Sequence, residues 1–418
     1  MRELLEMGPP GRPVTTTVSL GVLTSLFQRF HAEDIVYCHW KSNEHLDASM
    51  LGVTDFDLLV DRRAALALAD ILSQMNVKRF VVEPFHAYPG VEDYLCFDPD
   101  TGKLIHLHIH YQLTVGEKHL NGYRLPWEEI VLSTRMLDQR HEIYVADPHV
   151  ELVLLVTRAA VKLRVRDLLL GMLRRTYFPH KMLGEFAWLA RRIERDRLLD
   201  VARRLVGPRA AGLLVEMVDA SPPKRRLLAF RRSSEPSLRS YRTYGAWGAR
   251  VRRWRREART LWWWVENRYY RVPKNSSRTC PHGGLTIAFV GADGAGKSTI
   301  ANAIAEWLAE EIAVVPISPP ERARMWARAW RARSHGKIVV LDGWARPRLP
   351  VDVVVKLHVS PDVAKQRRPE APMERLHGQV ATVKALAYPA GTRVLDFDAT
   401  QPLERLLSDV KRGIWDSI

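Results

Sequence analysis

Thr286-Ile287-Ala288-Phe289-Val290-Gly291-Ala292-Asp293-Gly294-Ala295-Gly296-Lys297-Ser298-Thr299 runs from an apolar, β-branched stretch into a glycine-rich loop, and a helical pattern over Ile300 to Glu311 follows at once. Gly291, Gly294 and Gly296 allow a backbone tight enough to aim successive N–H groups at one anion, and the new helix adds the positive end of its dipole. Phosphate is the anion such a nest binds. Lys297 supplies a mobile charge for β- and γ-phosphates, and the hydroxyls of Ser298 and Thr299 open the helix, with Ser298 placed to hold Mg²⁺. Asp293 sits inside the loop. ATP and Mg²⁺ are therefore the expected cofactors.

Outward from this loop the pattern alternates. Strands are expected at Ile312 to Ile317, Lys337 to Asp342, Val351 to Val359 and Arg393 to Phe397, with helices at Glu321 to Arg333, Asp362 to Arg367, Met373 to Leu386 and Pro402 to Trp415. Strand–helix alternation implies an α/β fold, a parallel sheet covered by helices on both faces. Asp342 then falls at the carboxyl end of its strand, where open α/β sheets bind ligands, and can support Mg²⁺ or accept a proton. Arg367 and Arg368 follow a helix from which they could close on a transferring phosphate.

With 418 residues and 46% hydrophobic side chains, the chain has material for two or three cored domains. Three cysteines without paired spacing, Cys38, Cys96 and Cys280, indicate neither a disulfide framework nor a zinc site. No signal peptide or spanning run is recognisable, so a cytoplasmic location is expected. The net charge of +16 is concentrated: Lys224 to Arg278 holds 17 Lys and Arg against three acids.

The N-terminal part, residues 15–146, reads as an α+β unit. A helix over Leu20 to Phe30 and a strand over Ile35 to Trp40 lead to Lys41-Ser42-Asn43, and a second strand carries Asp55 and Asp57 two residues apart. Two carboxylates at that spacing can reach one Mg²⁺. Leu104 to Tyr111 places His106, His108 and His110 on one face, either as a polar sheet face or as metal ligands. Residues 147–220 turn helical, with apolar steps of three and four over Val150 to Leu163, Arg166 to Leu173, Lys181 to Arg195 and Leu198 to Val206.

Residues 221–282 form an arginine- and tryptophan-rich joint, ending in a flexible stretch from Pro273 to Gly284. Trp247, Val251, Trp254, Ala258, Leu261 and Val265 lie on one stripe of a helix, with Arg250, Arg252, Arg253, Arg255, Arg256 and Arg259 on its other faces. Three readings follow: a helix packed on its own domains, peripheral contact with an anionic membrane through residues 244–271, and a nucleic-acid surface. The tryptophans favour membrane over nucleic acid.

Residues 283–418 resemble the thymidylate kinase family through the loop Gly291 to Thr299, Val359-Ser360-Pro361-Asp362-Val363-Ala364 leading to Arg367, and Asp396-Phe397-Asp398-Ala399. The resemblance implies a catalytic role for Lys297 and Asp342, a lid role for Arg367 and adenine contact near Asp398. Gly343 replaces the arginine of that family's Asp-Arg-Tyr element, leaving Arg346 or Arg348 as substitutes, and only nine steps separate Asp342 from Val351, which leaves little to hold thymidine. Residues 20 to 165 resemble polymerase-β-like nucleotidyltransferases, with Asp55 and Asp57 at the metal pair and His108 where a third aspartate is usual. Proteins joining these two units are associated with bacterial surface polysaccharide synthesis. The function implied is an ATP-dependent kinase acting on a small or glycan- or lipid-linked acceptor; the alternatives are a non-catalytic nucleotide sensor and a nucleic-acid-associated nucleotidyltransferase or NTPase.

Overall fold

The computed structural model describes residues 19–82, 87–117, 120, 122–163, 180–219, 226–270, 278–317, 322–343 and 351–418. β-Branched and aromatic runs bounded by turns give β1 (Tyr37–His39), β2 (Phe56–Val60), β3 (Lys78–Val82), β4 (Val91–Phe97), β5 (Leu104–His110), β6 (Leu113–Val115), β7 (Tyr123–Leu125), β8 (Met136–Asp138), β9 (Ile143–Val145) and β10 (Arg278–Thr279). β6 and β7 pair with each other; the other eight form one sheet in the order β10-β3-β4-β5-β2-β1-β9-β8. β2 runs parallel to β5 with Asp57 opposite His108, which brings the second aspartate and the histidine strand side by side.

Leu23, Leu26, Phe27 and Phe30 of the helix Gly21–Ala32 and Leu68, Ile71 and Leu72 of the helix Ala65–Gln74 pack on this sheet around Tyr37 and Phe56. A second core joins Trp40 and Leu59 to the helices Pro148–Lys162, His180–Ala190, Arg195–Val206 and Pro208–Asp219. Pro148–Lys162 is buried along almost its whole length because neighbours cover every side of it. The helical unit also reaches past the expected limit at residue 220, since Leu227, Phe230 and Leu238 of the helix Arg226–Leu238 enter the same core. The helix expected over Arg166 to Leu173 lies outside the described residues.

The joint differs from its expectation at its end. Rather than hanging free, Arg278 and Thr279 form β10 and pair antiparallel with Val82 and Val81 of β3, extending the N-terminal sheet. Ladder hydrogen bonds satisfy backbone groups that a loop would leave to water.

Beyond it come β11 (Thr286–Gly291), β12 (Val314–Ile317), β13 (Ile338–Leu341), β14 (Val353–His358) and β15 (Arg393–Asp398). All pair in parallel, in the order β12-β13-β11-β14-β15, so the strand feeding the glycine-rich loop is central. One face packs on the helices Lys297–Ala309 and Leu403–Trp415 and the other on Arg322–Ser334 and Met373–Ala385. This is the α/β P-loop fold that the alternation implies.

The two sheets share a core. Phe80, Leu95, Phe97 and Leu104 of the N-terminal sheet cluster with Trp307, Val410, Ile414 and Trp415. The Trp307 indole donates to the Gly102 carbonyl at 2.8 Å and that of Trp415 to the Asn76 carbonyl at 3.1 Å. Each buried aromatic contributes roughly 2 kcal/mol of transfer free energy, and the hydrogen bonds fix its orientation.

Candidate active site

β11 stops at Gly291, where a Cβ would lie 2.9 Å from the Leu357 carbonyl; that glycine is required by close strand packing rather than by a ligand. Gly294 and Gly296 hold φ of +84° and +83°, a left-handed pair that turns the chain into the helix beginning at Lys297. The result is a cleft of about 480 Å³ lined by Asp293, Gly294, Gly296, Lys297, Ser298, Thr299, Asp342, Gly343, Arg367 and Arg368.

Lys297 bonds the Ala292 carbonyl at 2.9 Å and approaches Asp293 at 3.9 Å. Burial holds its pKa below the ordinary lysine value, opposed by the carboxylates of Asp293 and Asp342. Asp293 is fixed from the helix Met373–Ala385: Gln379 accepts from its backbone N–H and donates to its carboxylate, and Arg375 pairs with the same oxygen at 2.9 Å. The Gln379 hydrogen bond, with Lys297 and Arg375 beside it, keeps the Asp293 carboxyl below the usual range.

Asp342 follows β13, its N–H bonded to the Ile317 carbonyl. Its Oδ1 is buried and has no hydrogen-bond partner among the described residues. An orphaned carboxylate oxygen lining a cleft with a lysine and two hydroxyl side chains is a donor set that fits Mg²⁺, which prefers hard oxygen ligands and keeps several of its waters. Arg367 donates to the carbonyls of Gly294 and Ala399, tying the loop to the end of β15, and Arg368 pairs with Glu370 at 3.2 Å. Asp398 is not on the cleft; its carboxylate accepts from the Thr400 N–H and hydroxyl. Arg346 and Arg348 lie outside the described residues. Gln379 and Arg375 carried no sequence signal, because they approach Asp293 only through folding.

In the N-terminal domain, Asp55 and Asp57 do not converge on one point. Asp55 lies 3.2 Å from His106, whose other ring nitrogen is 2.7 Å from Asp93. Arg278 of β10 contacts His106 and Asp93 and also pairs with Glu311, so Asp55 is joined through His106 to the boundary between the two sheets. The Asp57 Oδ1 instead meets Lys41 at 2.6 Å, His108 at 3.1 Å and His110 at 3.3 Å. Although burial alone would raise it, the Lys41 ammonium and the two imidazoles hold this carboxyl well below the usual range. A Mg²⁺ bridging Asp55 and Asp57 would have to displace that ammonium. The ligand atoms that do come together, within 4.8 Å of one another, are those of Asp57, His108 and His110 rather than of Asp55 and Asp57, with the Lys41 ammonium already on Asp57.

Beside it, Ser42 holds a left-handed φ of 59°, and the turn is pinned from the helical unit. Its N–H donates to Glu185, while the Asn43 N–H and amide donate to Glu151 at 3.1 and 2.7 Å. Glu44, Glu151 and Glu185 bring carboxylate oxygens within 4.8 Å of one another. Burial pushes Glu151 up to about 8, against the Asn43 hydrogen bonds, and Lys162 nearby is pushed down to about 8 by burial, with Arg158 and Lys41 adding to the effect.

No protein-family model matches the chain, and no curated protein matches it. Solved structures similar to it include two that each cover 31% of its length. A gluconokinase from Sinorhizobium meliloti 1021 is 24% identical over 91% of its own chain, with a TM-score of 0.24. A deoxyadenosine kinase from M. mycoides with bound dATP is 13% identical over 98% of its chain, with a TM-score of 0.25. Both are named as kinases; at these TM-scores the likeness carries no argument, and the P-loop fold of residues 286–418 rests on its own strand order and loop geometry.

Proposed function

We propose that the C-terminal unit binds ATP with Mg²⁺ and transfers the γ-phosphoryl group to a small-molecule, glycan- or lipid-linked acceptor. The observation that carries this reading is Asp342, which lines the same cleft as Lys297 and Ser298 and whose buried Oδ1 has no partner among the described residues. Lys297 attracts the β- and γ-phosphates, and the loop N–H groups orient them. Ser298 and Asp342 would hold Mg²⁺, which when bound neutralises charge across the β- and γ-oxygens. Arg367 braces the loop and Arg368 adds positive charge beside the negative charge on the transferring phosphoryl oxygens. The acceptor hydroxyl gives its proton to a carboxylate; Asp293 and Asp342 both line the cleft, Asp293 is already held by Gln379 and Arg375, and Asp342 serves as the base only where it does not ligate Mg²⁺. Surface polysaccharide assembly is the setting suggested by the sequence resemblance.

A second reading, a nucleotide sensor without turnover, is favoured by one contact. The helix that starts at Lys297 carries Trp307, which packs edge-on against Phe97 at 5.6 Å and bonds Gly102, so a change at its start is felt in the N-terminal domain. Calorimetry with ATP and Mg²⁺ followed by an ADP-release assay over a panel of hydroxyl acceptors separates the two. Binding with acceptor-dependent release supports phosphotransfer; binding without release by any acceptor supports the sensor; absence of binding overturns both. dTMP is expected to be a poor acceptor, and turnover of it at about 1 to 100 per second would refute that expectation.

A further inference from the structure

The helix Ala246–Tyr270 is oriented inside out for a protein surrounded by water. Its apolar stripe, Trp247, Val251, Trp254, Ala258, Leu261, Trp262 and Val265, covers about 100° of the helix surface, the width by which surface helices normally face a core. Here that stripe faces away from the body: Trp247 is 74% exposed, Trp254 73%, Trp262 67% and Leu261 64%. The opposite side is the one turned inward. Arg253 pairs with Glu117 on the N-terminal domain, Arg256 is only 11% exposed at its side chain, and Trp263 is half-buried. Rotation by half a turn would bury the tryptophans and free the arginines, yet the Arg253–Glu117 pair and the stacking of Arg252 on Tyr244 hold the reverse arrangement.

We propose that this stripe is a docking surface for an anionic lipid bilayer, on which the helix lies parallel to the membrane plane. Charge placement selects the occupant. Arg250 and Arg268 border the stripe on one side and Arg255 and Arg259 on the other, at the height where lipid phosphates flank an inserted apolar face. Tryptophan is the side chain best suited to that boundary. A nucleic acid would need arginines at the centre of the outward surface, whereas the centre is tryptophan and leucine, and the far-side Arg253 is already paired with Glu117. A second copy packed stripe to stripe would bring the two arginine borders together, where Arg250, Arg268, Arg255 and Arg259 outnumber Glu257 and Glu266 and leave a net like charge. The helix rests on the surface and does not cross: among the described residues no helix is long and apolar enough to span a bilayer.

The test is co-sedimentation of the full chain with vesicles of phosphatidylcholine alone and of phosphatidylcholine with about 30% phosphatidylglycerol. Binding is expected only to the anionic vesicles, weakening as salt is raised. Trp254→Ser with Leu261→Ser should lower it by roughly tenfold or more, since an interfacial helix draws on apolar burial as well as charge. Arg255→Gln with Arg259→Gln should lower it and flatten the salt dependence. All four positions are solvent-facing, so unchanged melting temperatures are expected and show that folding is intact. Absence of vesicle binding, vesicle binding indifferent to the serine pair, or binding to duplex DNA in place of vesicles overturns the proposal. So does a dimer in sedimentation that the serine pair dissolves while vesicles do not bind.

Discussion

Replacing Lys297 by alanine removes the one ammonium on the cleft among the described residues. Its side chain is 18% exposed, so the cation works in partly desolvated surroundings. Two unit charges about 4 Å apart interact by about 4 kcal/mol at an effective dielectric of about 20. Part of that is offset, because Lys297 gives up or shares its 2.9 Å bond to the Ala292 carbonyl and its proximity to Asp293 when phosphate arrives. A net loss of about 2 to 3 kcal/mol remains, or roughly 30- to 160-fold in the dissociation constant for ATP with Mg²⁺. Stability should fall by about 1 to 3 kcal/mol, since the carbonyl of Ala292, a buried residue, loses its partner. Calorimetric titration of both proteins, paired with melting curves, reads the two quantities separately. A variant with unaltered melting and a dissociation constant within about threefold of the parent would refute the placement of Lys297 against phosphate.

Three further outcomes follow from charge. Because burial depresses the Lys297 pKa, nucleotide affinity should begin to fall with rising pH before an ordinary lysine would titrate, a shift visible in titrations run at stepwise alkaline pH. Glu151 is an acid raised to about 8 in the folded chain, so its stabilising contribution is complete below the unfolded value near 4.5 and lost as pH rises through about 8; Glu151→Gln should remove that decline from the pH profile of melting temperature. Lys41→Met leaves the Asp57 carboxylate without its ammonium and should destabilise the N-terminal domain by about 3 to 5 kcal/mol at neutral pH. Asp57 is depressed in the folded state, so this difference is full above the ordinary carboxylate pKa of about 4 and shrinks as pH falls through the folded value; equal denaturation midpoints at neutral pH would show the pair to be idle.

What the sequence determined by itself is what depends on near neighbours along the chain. Gly294-Ala295-Gly296-Lys297-Ser298 sets its own turn, because the positive φ values at two glycines and the start of the helix are local properties, and the loop arrives with most of its phosphate-facing groups. The parallel sheet of the C-terminal unit was equally legible, since strand and helix periods differ. Asp342 could be placed at a strand end from the pattern alone, but that its oxygen is buried and unpartnered depends on what folds around it. Tertiary structure alone decided the rest. Asp55 and Asp57, two residues apart, part company because His106 and Lys41 reach them from different strands and turns. Gln379 holds Asp293 from 86 positions away, a distance over which the chain carries no periodicity. The tryptophan stripe of Ala246–Tyr270 could be counted in the sequence, but whether it faces inward or outward is set by Glu117 gripping Arg253 on the opposite side, a contact between segments 136 positions apart that local pattern does not encode.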